Sequence, residues 1–238
     1  MTAHPLHGSP LSGGTDASAV ETDTMAVALG RVGGSLLAAA FGLLARARGN
    51  RALHPVGTCG SGTLRVTPGS RSGVVLLDTP GPHGCQVRWS RATGRRRGRD
   101  VEGLAVRVAG PAAGDVLLAS TGTGVITRHV LTVRTPDQHG PLSTLLPLST
   151  SRGNLLLRLD PVTAGACPQS PPTAYRLLIA APGHPWHERG TLQVDWSTQD
   201  CTRRHDPVGK PPAGTWTAPL WARLRDPSYA ASQDVPAT

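Results

Sequence analysis

Short aliphatic runs separated by turn residues constrain the fold of this chain more than any other feature. Runs such as 104–108 and 154–159 hold five or six residues and are flanked by Gly, Pro or Asp. The 29 Gly and 22 Pro among 238 residues leave little room for long helical periods. The predicted strands are 62–66, 73–77, 85–89, 104–108, 115–119, 125–127, 130–133, 154–159, 175–179 and 191–196.

Several of these runs alternate between apolar and polar residues. Val87 and Trp89 flank Arg88, and Arg107 lies between Val106 and Val108. This alternation indicates strands with one buried and one solvated face. Because closing an antiparallel sheet removes its exposed edges, we predict a mainly β fold, an antiparallel barrel.

The two ends of the chain differ from this central region. Residues 1–22 carry few large apolar groups, so we expect a disordered tail. The segment 32–45 is apolar but only 14 residues long, which favours an amphipathic helix leading into the barrel and no membrane span. We therefore predict a barrel domain with its leading helix over 23–204, and a Pro-rich connection with a short helical segment over 205–238.

Charge and cysteine content limit which classes of partner and which cellular compartment we expect for this chain. The formal charge of +9 comes from 23 Arg and one Lys, and only Arg95–Arg97 with Arg99 form a dense run. That run is flanked by glycines and has no aromatic neighbour, so a solvated or ligand-facing loop is favoured over a nucleic-acid site. The four cysteines show no C-x-x-C spacing, which favours reduced thiols in a cytoplasmic protein, although a Cys167–Cys201 bridge stays open.

Four sequence blocks, taken in order, resemble one known family. Residues 51–57 match R-x-x-H-x-x-G, 87–90 read V-R-W-S, 100–107 read D-V-E-G-L-A-V-R, and 115–118 read D-V-L-L. This order and spacing is similar to the haem-dependent catalase superfamily, over roughly residues 30–200. The resemblance implies a catalase-like barrel that binds haem b and performs weak peroxide-dependent oxidation, with hydrogen peroxide or an organic peroxide and a small reductant as partners. It also implies a monomer or homodimer.

The resemblance assigns a role to seven residues. They are His54 as distal acid and base, Ser90 and Ser120 as orienting groups, Arg51 and Arg88 on the haem propionates, and Tyr229 on the iron with Arg225 beside it. An imidazole in a dry pocket can take and return a proton, and a guanidinium matches a propionate. Phenolate ligation of haem iron is typical of catalases.

Departures from the family pattern leave other functions open. Ser120 stands where the family has asparagine, and Pro227 precedes Tyr229 closely. The alternatives are a degenerate, haem-free barrel with a binding or structural role, and a phosphodiesterase-type hydrolase. The sequence His184-Pro185-Trp186-His187-Glu188 superficially suggests a metal site, but its prolines favour a turn.

Overall fold

Ten antiparallel strands form the framework of the described chain, which in this computed structural model comprises residues 57–94, 98–163, 170–197, 199–201 and 205–216. The strands are β1 Gly57–Val66, β2 Gly81–Arg91, β3 Glu102–Val108, β4 Gly114–Ser120, β5 Leu142–Ser143, β6 Leu148–Thr150, β7 Gly153–Pro161, β8 Ala174–Ala180, β9 His187–Trp196 and β10 Thr215–Trp216. One α-helical turn, α1, covers Val75–Asp78, and 3-10 turns cover Gly110–Ala112 and Thr127–His129. The predicted disordered tail, the leading helix and the C-terminal helical segment lie outside the described residues.

Eight of the strands close into a barrel. Pairing runs β1, β2, β3, β4, β5, β7, β8, β9, and β9 pairs back with β1 from Gly60↔Trp196 to Val66↔Gly190. The short strands β6 and β10 extend the sheet beside the first residues of β7. The predicted mainly β, antiparallel barrel is therefore confirmed, because every strand meets a neighbour on both sides of the ring.

Inward side chains at one end of the barrel are aliphatic. Leu64, Val106, Leu118, Leu157 and Leu192 are all at most 4 % exposed, and they belong to one continuous apolar cluster. These positions alternate with outward residues along each strand, as the sequence pattern predicted. They leave an internal void of about 20 Å³.

The helix α1 closes this aliphatic end. The prediction of a strand over 73–77 is wrong, because Gly73 has a φ of +83° and the Asp78 carboxylate accepts hydrogen bonds from the Ser72 and Gly73 amides. The resulting turn directs Leu76 and Leu77, both at most 2 % exposed, into the barrel. The predicted strands over 125–127 and 130–133 are wrong as well, since the 3-10 turn and the rest of the long β4–β5 loop occupy those residues.

Candidate functional site

The opposite end of the barrel holds a buried polar cluster instead of aliphatic residues. Glu102 begins β3 on the same face as inward-facing Leu104, two residues later, and its side chain is 2 % exposed. The β4–β5 loop, residues 121–141, returns across this end and supplies Arg134 and His139. Tyr175, near the start of β8, is 1 % exposed.

Glu102 joins the two loop residues. His139 Nδ1 lies 2.9 Å from Glu102 Oε1, and Arg134 Nη1 lies 3.7 Å from Glu102 Oε2. An ionised carboxylate only accepts hydrogen bonds, so Nδ1 of His139 carries the proton and Nε2 has a free lone pair when the ring is neutral. Trp89 meets the imidazole edge-on, with ring centroids 6.3 Å apart.

Backbone contacts hold this loop in place over the barrel end. Arg134 and Asp100 exchange two backbone hydrogen bonds of 3.0 and 2.8 Å. Arg134 Nη2 also donates to the carbonyls of Thr121 and Pro141, at 2.9 and 3.0 Å. Nη2 of the guanidinium therefore bonds to the loop backbone, while Nη1 faces the Glu102 carboxylate.

Several buried atoms of this cluster have no hydrogen-bond partner among the described residues. They are Nε2 of His139, the hydroxyl of Tyr175, Nη1 of Arg134, Oγ1 of Thr132, and Nε and Nη1 of Arg91. Such buried atoms are rare in folded proteins, and each one left unpaired costs about 1–3 kcal/mol. Water or a polar ligand is the ordinary partner for groups of this kind.

The electrostatics of the cluster favour a neutral phenol at Tyr175. Burial, reinforced by the negative charge of Glu102, raises the pKa of Tyr175, which therefore stays protonated. Burial lowers the pKa of Arg134, and Glu102 opposes that change. The Tyr175 hydroxyl can therefore donate a hydrogen bond, and His139 Nε2 can accept one. Sequence reasoning missed this pair, although a carboxylate at an inward strand position was a recognisable signal.

Ser120 is the residue predicted from sequence that lies nearest this cluster. Its hydroxyl donates to the Thr132 carbonyl and accepts a hydrogen bond from the Glu102 amide at 3.1 Å. Its oxygen therefore joins β3, β4 and the β4–β5 loop. Ser90 is buried on β2, and strand alternation turns its side chain away from the face that carries Trp89.

Arg88 projects from the outer face of β2. It forms a two-pronged ion pair with Asp200, with Nε–Oδ1 at 2.8 Å and Nη2–Oδ2 at 2.9 Å. The Gly57 amide donates to the same carboxylate at 2.8 Å. Arg88 lowers the pKa of Asp200 against the opposing effect of burial. The structure therefore does not bring Arg88 together with Ser120. Arg51, His54, Arg225 and Tyr229 lie outside the described residues.

A disulfide lies beside this ion pair. Cys59 on β1 is bonded to Cys201, with Cα atoms 5.7 Å apart. The expectation of reduced thiols is wrong for these two residues, and so is the alternative Cys167–Cys201 pairing, because spacing alone carries no information about partners 142 residues apart. Cys85 is a free, buried thiol, and burial raises its pKa to about 11.

A metal site at His184, His187 and Glu188 gains no support. The turn lies at 182–184, with Gly183 at a φ of +83°, whereas His187 and Glu188 begin β9, and all three candidate ligands are exposed. Within the described ranges, the one group of three close metal-ligating side chains is Cys59, Asp200 and Cys201. Two members of that group are joined by the disulfide.

The fold and the cluster define the class of protein as a closed eight-stranded antiparallel barrel with a polar end. They do not define a family within that class. No protein-family model and no curated protein matches this chain. The catalase resemblance therefore stays a prediction. None of the helices in the described part of the chain is long and apolar enough to cross a membrane.

Proposed function

We propose that the chain is a haem-free barrel that binds a small, neutral, polar molecule at the cluster around Glu102. One observation carries this proposal: His139 Nε2 and the Tyr175 hydroxyl are buried near the same carboxylate without hydrogen-bond partners among the described residues. A ligand with a donor and an acceptor group, such as a primary amide, would satisfy both. Glu102 would keep the imidazole in the accepting tautomer.

Packing at the aliphatic end of the barrel supports a haem-free function. Ligand pockets measure roughly 300–1,000 Å³, whereas the void between the aliphatic strands and α1 measures about 20 Å³. The guanidinium of Arg88 is already paired with Asp200, and the hydroxyl of Ser120 is bonded to backbone groups. Haem-dependent peroxide turnover is the second candidate, carried by the sequence resemblance around His54 and Tyr229. The phosphodiesterase proposal has no comparable support.

The disulfide bears on where the protein works. The expected cytoplasmic location rested on reduced cysteines, and disulfides persist mainly in oxidising compartments. The Cys59–Cys201 bond therefore favours an oxidising compartment. Mass-spectrometric measurement of the thiol state after rapid alkylation of cells tests this: a blocked, reduced Cys59 in most molecules would support the cytoplasm instead.

Two titrations separate the candidate functions. In the first, haem is added to the purified chain, and we expect no saturable Soret change; a stoichiometric change that His54→Ala abolishes would overturn the haem-free proposal. In the second, acetamide, urea and glycerol are screened by thermal shift against wild type, Glu102→Gln and His184→Gln. We expect stabilisation of wild type and of the exposed control His184→Gln, and none of Glu102→Gln.

Loss of folding in Glu102→Gln must be distinguished from loss of binding. His139→Gln provides a second variant, because it removes the accepting nitrogen and keeps the carboxylate. Circular dichroism identifies which variants keep the barrel. If none of the three probes stabilises wild type, or if a folded His139→Gln responds as wild type does, the cluster holds internal water and is not a ligand site.

A further inference from the structure

The stretch 125–133 of the β4–β5 loop exposes four of its five aliphatic side chains and buries its one arginine. Ile126 is 79 % exposed, and Val125, Val130 and Val133 are 54, 43 and 54 % exposed. In contrast, Arg128 in the middle of the same segment is 2 % exposed. Among the described residues, seven large hydrophobic side chains are exposed, and these four lie within nine consecutive positions. A loop that only met water would show the opposite arrangement.

This arrangement is fixed by specific contacts. Arg128 donates to the carbonyls of Gly124 and His184, at 3.2 and 3.0 Å, and its guanidinium carbon lies 4.6 Å from the centre of the Trp186 ring. The Thr127 carbonyl accepts a hydrogen bond from the Gly122 amide at 3.1 Å, which closes a backbone turn. The aliphatic side chains are therefore presented on a preformed turn, so little conformational entropy is lost when they are buried against a partner.

Positive charge lies next to one side of the loop. The backbone pairing of Arg134 with Asp100 places Val133 beside the β2–β3 connection, which carries exposed Arg99. The same connection contains the arginine run 95–97 in its sequence, and the chain as a whole has a formal charge of +9. Exposed aliphatic side chains near an exposed arginine, on a chain with a strong positive charge, match the chemistry of an anionic lipid surface, with acyl chains beneath negative headgroups.

We propose that the β4–β5 loop docks this protein on the surface of an anionic lipid bilayer, with Val125 and Ile126 entering the interface and Arg99 near the headgroups. Four aliphatic side chains are too few for a stable interface between two copies, which needs roughly 800 Å² from each partner. A single-stranded nucleic-acid platform would need stacking aromatics, and the exposed tip is aliphatic. Lipid binding is independent of the ligand proposed at Glu102.

Vesicle sedimentation with the full chain tests this proposal. We expect binding to vesicles of phosphatidylcholine and phosphatidylglycerol at 3:1, and at least tenfold weaker binding to phosphatidylcholine alone. Ile126→Asp should weaken binding to the anionic vesicles about tenfold. The matched control is Val162→Asp, at a valine that is 58 % exposed and lies after β7, and it should bind as wild type does.

Three results would overturn the proposal. They are no sedimentation with anionic vesicles, equal binding by Ile126→Asp and wild type, and equal losses in Ile126→Asp and Val162→Asp. The apolar segment 32–45 is identical in all variants, so any binding it provides cancels in the comparison. Sedimentation velocity supplies the last arm: if Ile126→Asp instead dissociates a dimer and leaves vesicle binding intact, the loop is a self-association surface.

Discussion

Removal of the Cys59–Cys201 bridge is the perturbation whose energetic effect follows most directly from the structure. The bond joins β1 to the segment after β9 and closes a loop with a sequence separation of 142. Closing a loop of that length removes about 17 cal/mol/K of entropy from the unfolded chain, or about 5 kcal/mol at 25 °C. Small domains are stable by only about 5–15 kcal/mol in total, so this is a large fraction.

Equilibrium unfolding in urea, followed by tryptophan fluorescence, measures the effect. The double variant Cys59→Ser/Cys201→Ser should lose about 3–5 kcal/mol, since strain and residual structure reduce the entropic maximum. Wild type treated with a reductant should show the same loss. Cys167→Ser serves as the control and should unfold as wild type does, because Cys201 is already bonded to Cys59.

Either of two results would contradict a stabilising Cys59–Cys201 bond. A loss below about 1 kcal/mol in the double variant would mean that the bond does not constrain the unfolded chain as described. A comparable loss in Cys167→Ser would mean that Cys167 takes part in the bridge.

Three further predictions concern the barrel core at Leu192, the hydrogen bonds of Ser120 and the titration of His205. Leu192→Ala should cost about 2–5 kcal/mol in urea unfolding, because Leu192 is fully buried between β1 and β8; a loss below 1 kcal/mol would contradict the packed interior. Ser120→Ala should cost about 1–3 kcal/mol in the same assay, since it leaves the buried Glu102 amide and the part-buried Thr132 carbonyl without their partner; an unchanged midpoint would contradict the bridging role. Burial lowers the pKa of His205 from 6.5, so the unfolded chain binds more protons below that pH and stability should fall as the pH drops from 7 toward 5. His205→Gln should flatten this pH dependence while the exposed control His184→Gln should keep it, and a parallel fall in His205→Gln would assign the effect to other groups.

Much of the barrel could be predicted because residues along its strands alternate between apolar, buried positions and polar, outward ones. The pattern around Val87 and Trp89 placed β2 correctly, and the run 175–179 lies within β8. The turn at α1 was missed because consecutive Val and Leu residues satisfy a buried strand and a buried helix equally well. Only the φ of Gly73 and the carboxylate of Asp78 decide in favour of the helix.

The candidate site was harder to predict, because its members are distant in sequence. Glu102 and His139 are 37 residues apart, and Tyr175 follows much later. They meet because β3 and β8 begin at the same end of the barrel and the β4–β5 loop returns across it. The spacing of motifs does not show that a loop folds back across the barrel end. A glutamate at position 102, among inward-facing aliphatic residues, does indicate a buried polar site there.

Histidine-selective nitrogen NMR of His139 during a titration with acetamide tests the ligand site at Glu102 without any substitution in the chain. We expect His139 to carry its proton on Nδ1, toward Glu102, and the resonance of bare Nε2 to shift saturably while that of His184 does not. A proton on Nε2, or an Nε2 resonance that acetamide leaves unchanged, would contradict a ligand site at this end of the barrel.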